Sequence, residues 1–292
     1  HIGKVFNASG WGYSSDLATA VNTCVSNGAD VVNMSLGGPS ASTSERTALE
    51  AATAAGVLLV AAAGNDGNSS LSYPASYDTV LAVGAVDENN QHAEFSQYTP
   101  QVELAAPGEA ILSTVAGDGR LADLTIGSTS YFDDGIVPHT RFVQSGSNYV
   151  VSDINGTVSG ELASCSRSGN NYSCGNMSNK ICIAERNANQ SGSSYPEINA
   201  VKACGDAGAA GIIVYSNTER TGLQNPFLVD GPGEISVPTV SVNRALGQTL
   251  LGQTGQTIQL SVTSNEDYEY YNGTSMATPH VAGVAALAWS NN

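Results

Sequence analysis

The chain has 292 residues, enough for about two domains at ~150 residues each and for a sizeable buried core. Ten Lys and Arg face 26 Asp and Glu, a formal net charge of −16; the cations are scattered, so a phosphate backbone finds no basic stripe and nucleic acid is excluded as a partner. No apolar run approaches the roughly 18 residues a membrane-spanning helix needs, so no membrane partner is expected.

The first third alternates strand and helix patterns. Ile2–Phe6 reads as a strand, Ser15–Ser26 as a helix and Val31–Met34 as a strand. Ser42–Ala55 reads as a helix opened by Ser/Thr caps, with Glu45 three residues after Ser42 as in a capping box, and Val57–Ala62 as a buried strand. Val80–Val83 and Val102–Ala105 add two more strands. This βαβ order implies a doubly wound α/β fold: a parallel sheet covered by helices on both faces, with ligands at the carboxyl ends of its strands, where Ser35–Gly38 and Gly64-Asn65 fall.

Between about 115 and 265 the texture becomes β-rich α+β. Leu124–Ile126, Gly160–Ala163, Lys180–Ala184, Gly211–Tyr215 and Val237–Val242 read as strands, and Pro196–Ala207 as a helix. Four of the five cysteines, Cys165, Cys174, Cys182 and Cys204, fall here and allow three pairings. In an extracellular setting Cys165–Cys174 would close a local loop and Cys182–Cys204 would tie strand to helix, leaving Cys24 over. No Cys or His spacing matches a zinc site.

Near the end, Gly273-Thr274-Ser275-Met276-Ala277-Thr278-Pro279-His280 presents a serine at the start of an Ala/Gly-rich helix. A hydroxyl there lies beside unpaired backbone N–H groups and the positive end of the helix dipole, a setting that stabilises an oxyanion. Its base is the difficulty. Of His1, His92, His139 and His280, only His280 is near in sequence, five residues on. That spacing turns it about 500° around the helix, away from the serine hydroxyl, so it is expected to be a buried, hydrogen-bonded structural histidine. Too little chain follows Ser275 for the acid and histidine of an α/β-hydrolase, which come after the serine.

Read beside Ala61-Ala62-Ala63-Gly64-Asn65 and Asn33-Met34-Ser35-Leu36-Gly37-Gly38, the Ser275 block resembles the subtilisin family of serine endopeptidases. Tyr73-Pro74-Ala75, Val80–Asp87 and Ala105-Ala106-Pro107-Gly108 resemble it too, and the likeness covers roughly residues 1–114 and 266–292. The resemblance implies Ser275 as nucleophile, with its own N–H and the Asn65 side-chain amide as oxyanion donors. It implies Ser35, Leu36, Gly37 and Gly38 as the segment that pairs with an extended substrate, and Ala62, Ala63 and Gly64 as a wall of the pocket for the residue before the cut. Small uncharged side chains there imply an apolar preference. Tyr73-Pro74 matches a place where the family often has a cis peptide.

The family's Asp and His blocks precede the serine and are absent from these 292 residues. The expectation is a chain cut at both ends, opening at His1 and stopping at Trp289-Ser290-Asn291-Asn292, that by itself hydrolyses peptides poorly. The alternative is a peptide-binding pseudoprotease. Residues 115–265 resemble an inserted protease-associated domain, through Lys180–Arg186, Ala207–Asn217 and Ile235–Val242. No cofactor is required. A structural calcium ion, by family resemblance, would use carbonyls near Ala75 and Tyr77 and the acid Glu103, although one carboxylate is little for an ion that takes about six to eight oxygens. A secreted, extracellular monomer acting on polypeptides completes the expectation.

Overall fold

The computed structural model describes residues 1–231 and 233–291. In chain order the elements are α1 (Ser14–Ser26), β1 (Val31–Met34), α2 (Thr43–Ala54), β2 (Leu58–Ala62), β3 (Leu81–Val86) and β4 (Val102–Pro107). Then come β5 (Ile111–Ile126), β6 (Thr129–Ser130), β7 (Ile136–Pro138), β8 (Thr140–Ser145), β9 (Asn148–Val151), β10 (Gly156–Ser168), β11 (Asn171–Ser173) and β12 (Lys180–Glu185). The chain ends with α3 (Glu197–Asp206), β13 (Gly211–Tyr215), β14 (Phe227–Asp230), β15 (Thr239–Val242), α4 (Arg244–Leu251), β16 (Thr257–Tyr271) and α5 (Thr274–Ser290). Two compact units result, His1–Glu109 with Asn272–Asn292, and Ala110–Tyr271. Asn292, read from sequence as the last residue after the final helix, lies outside the described residues.

The first unit is an α/β layer structure. Its sheet runs β1-β2-β3-β4, parallel throughout. Because strand side chains alternate, the apolar run of β2 serves two cores. Leu59 and Ala61 face Leu17 and Val21 of α1 and Leu49 and Ala52 of α2. Val60 faces the other way, joining Val83, Ala85 and Ala277, Val281 and Ala282 of α5. Ser42 caps α2, its hydroxyl accepting from Glu45 N (3.4 Å). Glu45 has a different fate from the capping-box partner of the sequence reading, for its side chain is buried at 5% exposure.

One local expectation is corrected. Ile2–Phe6 is irregular rather than a strand, since no strand pairs with it among the described residues and its backbone has no ladder to join. Pro279 lies within α5, and Ser275 O, the acceptor its missing N–H would have used, takes the Ser35 hydroxyl instead (2.7 Å). The Tyr73-Pro74 peptide is cis.

The second unit is built on a mixed sheet in the order β6-β5-β16-β10-β12-β13-β15-β7, with β11 beside β10. Its centre, β10-β12-β13-β15, is parallel, and β12 and β13 within it carry the short apolar runs Ile181–Ala184 and Ile212–Tyr215. Ile181, Ile183 and Ile213 pack with Leu246 and Leu250 of α4. Cys182, Ala184, Ile212 and Val214 pack with Ala200, Val201 and Cys204 of α3 on the opposite face. The long strands β5 and β16 pair antiparallel from Ile111↔Tyr271 to Ile126↔Ile258. A separate three-stranded sheet runs β14-β8-β9.

Disulfides join Cys165 to Cys174 and Cys182 to Cys204, and Cys24 is a half-buried free thiol. Buried charge in this unit centres on Glu197. Its carboxylate takes His139 Nε2 at 2.7 Å, Ser241 Oγ at 3.0 Å and Arg186 Nη1 at 3.4 Å, and Arg186 is wholly buried.

Candidate active site

The carboxyl ends of β1 and β2 and the amino end of α5 meet in the first unit. β1 delivers Ser35 and β2 delivers Gly64 and Asn65, while Gly273 N donates to Gly108 O (2.8 Å) and so fixes the entry to α5. Gly273 itself has φ +151°, and a Cβ on it would stand 3.3 Å from Asn65 Nδ2.

Asn65 is locked at its oxygen. Oδ1 accepts from Thr274 N (2.8 Å) and from Thr274 Oγ1 (2.9 Å), and Thr274 Oγ1 in turn accepts from Gly64 N (3.1 Å). An amide whose oxygen is held by two donors has its NH2 aimed the opposite way, as a donor still to be used. Thr274 is fully buried and contributes no surface of its own, so its hydroxyl serves as a bracket between the β2 loop and α5. The Thr278 hydroxyl donates to Thr274 O (2.6 Å) and steadies that turn.

Ser275 is half-buried, and its hydroxyl donates to Ser35 O (3.2 Å) while the Ser35 hydroxyl donates to Ser275 O (2.7 Å). Its backbone N–H belongs to the first turn of α5, where no carbonyl four residues earlier is available to a helix donor. No histidine is hydrogen-bonded to Ser275 among the described residues. His280 Nδ1 lies 2.8 Å from Met276 O, as expected of a residue turned away from the serine, but it is exposed rather than buried because α5 presents that face to solvent. His139 is spent on Glu197 in the second unit.

Ser275, Asn65, Leu36, Gly37, Gly38, Ala62 and Gly64 border one cavity of about 400 Å3. Ala63 does not: it is 3% exposed and lies behind the wall, its N–H bonded to Val83 O (3.0 Å). The lining is also more polar than three small residues suggest, because Asp66, Ser70, Ser72 and Gln97 come from the loops after β2 and β3. Gly64 adopts φ +111°, and a Cβ there would fall 1.6 Å from Gln97 Oε1, so only glycine fits. Gly37 and Gly38 differ. A Cβ on Gly37 would meet Ser72 Oγ at 2.6 Å, whereas nothing lies within 4 Å of one on Gly38. Gly38 exchanges N–H···O bonds with Tyr73 at 2.9 and 2.8 Å.

Sequence reasoning missed Thr274 as a positioning residue. Its signal, a Thr beside the serine with a second Thr four residues on, is shared by ordinary helix caps. Glu103, the acid considered for calcium, accepts from Ala82 N (2.8 Å), and among the described residues the grouping of three or more Cys, His, Asp or Glu ligand atoms is the four cysteines, not an acidic cage. One Glu103 carboxylate oxygen is thus engaged by the backbone, and a calcium ion there would depend mainly on carbonyl oxygens.

The subtilase family model matches residues 1–292. The chain belongs to the subtilase family. It is 48% identical over 115 residues to subtilisin DY from Bacillus licheniformis, an overlap of 38% of this chain and 42% of that protein. Alkaline elastase YaB from Bacillus sp. (strain YaB) is 45% identical over 116 residues, covering 40% of this chain and 31% of the elastase. The crystal structure of the psychrophilic subtilisin-like protease Apa1 from the Antarctic psychrotroph Pseudoalteromonas sp. AS-11 superimposes with a TM-score of 0.95 at 61% identity, over 99% of this chain and 66% of that one. The chain thus spans less than half of the curated subtilases it matches and about two thirds of the solved one.

Proposed function

We propose that the protein is a secreted serine endopeptidase in which Ser275 attacks the scissile carbonyl of an extended polypeptide. The observation that carries this reading is the lock on Asn65. With Oδ1 held by Thr274, the Nδ2 donors are left for the oxygen that becomes negative as Ser275 adds, and the Ser275 N–H supplies the second donor. Both border the same cavity, which takes the side chain before the cut. Proton transfer needs a base that these four histidines do not supply, so this segment contributes nucleophile, oxyanion hole and substrate walls.

The unit Ala110–Tyr271 serves as an inserted protease-associated domain in this reading. Its two disulfides favour an oxidising, extracellular setting. The protein acts as a monomer on polypeptides.

The test is reaction of the full-length protein with a fluorophosphonate, followed by mass mapping of the adduct. Modification at Ser275 that disappears in Ser275→Ala is the expected result. A folded full-length protein left unmodified at Ser275 contradicts catalysis and favours a peptide-binding pseudoprotease.

A further inference from the structure

A second cavity, of about 340 Å3, adjoins the substrate segment in the same unit. Leu36, Gly37, Gly38 and Pro39 border both cavities, so a peptide laid along that segment reaches both. The wall of the second carries a feature a purely apolar subsite would not have. Glu45 lines it, is 95% removed from solvent, and has an Oε1 with no hydrogen-bond partner.

A buried carboxylate oxygen without a partner is costly, and a ligand that completes it is one physical reason for a structure to keep one. Burial holds the Glu45 carboxyl above its ordinary pKa, against the lowering effect of the Ser14 and Tyr77 hydroxyls, so this side chain gains from a cation that restores its charge. The rim suits the stem of such a cation. Trp11 and Tyr13, 76% and 80% exposed, line the cavity, and Leu17 and Leu36 supply apolar contact. Aromatic faces attract cations, and Lys and Arg lay their methylenes on apolar surface while directing the charge elsewhere. Oε1 is shielded from solvent, so meeting an occupant takes a change of the Glu45 side-chain rotamer. A net charge of −16 draws cationic peptides toward the molecule in any case.

We propose that Glu45 is a specificity-determining residue that selects a Lys or Arg side chain of the substrate in the second cavity, at a position farther from the scissile bond than the residue in the first. This rests on the endopeptidase reading for the substrate class, but the selection is a property of binding and is measured without turnover.

The experiment measures dissociation constants of extended peptides for the full-length protein carrying Ser275→Ala, by calorimetry. Each peptide places Lys, Arg or the uncharged isostere norleucine at one position in turn. At one position Lys and Arg are expected to bind about 10- to 100-fold more tightly than norleucine. Glu45→Leu is expected to reverse or abolish that ratio, and Glu45→Gln, which keeps the shape, to bring it to within about threefold. Norleucine binding as tightly as Lys at every position overturns the inference, as does a cation preference that survives both variants. An equal loss for all peptides also overturns it, because Glu45 would then support the fold without selecting, and so does the absence of binding by any peptide. Turnover by the Ser275 protein separately tests the endopeptidase reading, so the two can fail independently.

Discussion

Asn65 Oδ1 accepts both the backbone N–H and the hydroxyl of Thr274, at 2.8 and 2.9 Å, across more than two hundred residues of sequence. One neighbour therefore sets the direction of the Asn65 amide, and the residue after that neighbour is Ser275. If the amide is an oxyanion donor, Asn65→Leu should lower kcat by about two to three orders of magnitude with little change in KM. Thr274→Val keeps the shape and the backbone donor but drops the hydroxyl, leaving Gly64 N without its acceptor. We expect kcat to fall by about tenfold and stability by about 1–3 kcal/mol, read by steady-state kinetics and urea unfolding.

Gly64 and Gly38 are expected to respond oppositely. Gly64→Ala places a Cβ on Gln97 Oε1 in a backbone conformation with φ +111°, so the loop must rearrange; thermal unfolding should show a loss of several degrees or more and the cavity should lose activity. Gly38→Ala meets nothing within 4 Å and should fold normally, and any effect should appear in KM for extended peptides.

Much of the first unit was legible because its central strands, β2 and β3, are buried on both faces. Leu58–Ala62 is a short unbroken apolar run, Val31–Met34 is apolar except for the exposed Asn33, and their ends differ from the sequence reading by no more than a residue. In the second unit the same signal disclosed β12 and β13 but not β16. The latter carries Glu266, Asp267 and Glu269 and two register shifts against β5, so period-two alternation is broken where Ser264, Asn265 and Asp267 fall outside the ladder register. The short α4 was passed over, although Asn243 caps it by accepting from Leu246 N (2.9 Å). At the candidate site, Ser275 and Asn65 stand out in the sequence, and the fold brings both to one cavity. Thr274 and Glu45 do not stand out, because a bracket and a buried acid look like helix caps until the fold places them.

Acid should weaken the second unit through Glu197. Burial raises its pKa, but the His139 hydrogen bond and charge, the Arg186 charge and the Ser241 hydrogen bond outweigh burial and leave it lowered. A pKa below the unfolded value of about 4.3 means the group contributes stability above that pH and loses it as pH falls through the folded value. Unfolding of the full-length protein followed from pH 6 toward about pH 2 should show this acid limb. Glu197→Gln should flatten it and cost about 3–5 kcal/mol near neutrality, because His139 and Arg186 are left buried without their anion.

The disulfide Cys182–Cys204 spans 22 residues and staples β12 to α3. Replacing both cysteines with Ala should cost about 3 kcal/mol by the chain-entropy relation, measured by denaturant unfolding under non-reducing conditions. The first unit, whose single cysteine is unpaired, should be insensitive to a reductant in the same experiment.

The convergence of Asn65 and Ser275 on one carbonyl is tested most directly by a crystal structure of the full-length protein treated with a peptidyl phosphonate. The expected adduct has phosphorus on Ser275 Oγ and a phosphonyl oxygen about 2.7–3.1 Å from both Asn65 Nδ2 and Ser275 N. An adduct on Ser275 whose oxygens all point away from Asn65, or one formed on another residue, would contradict the account.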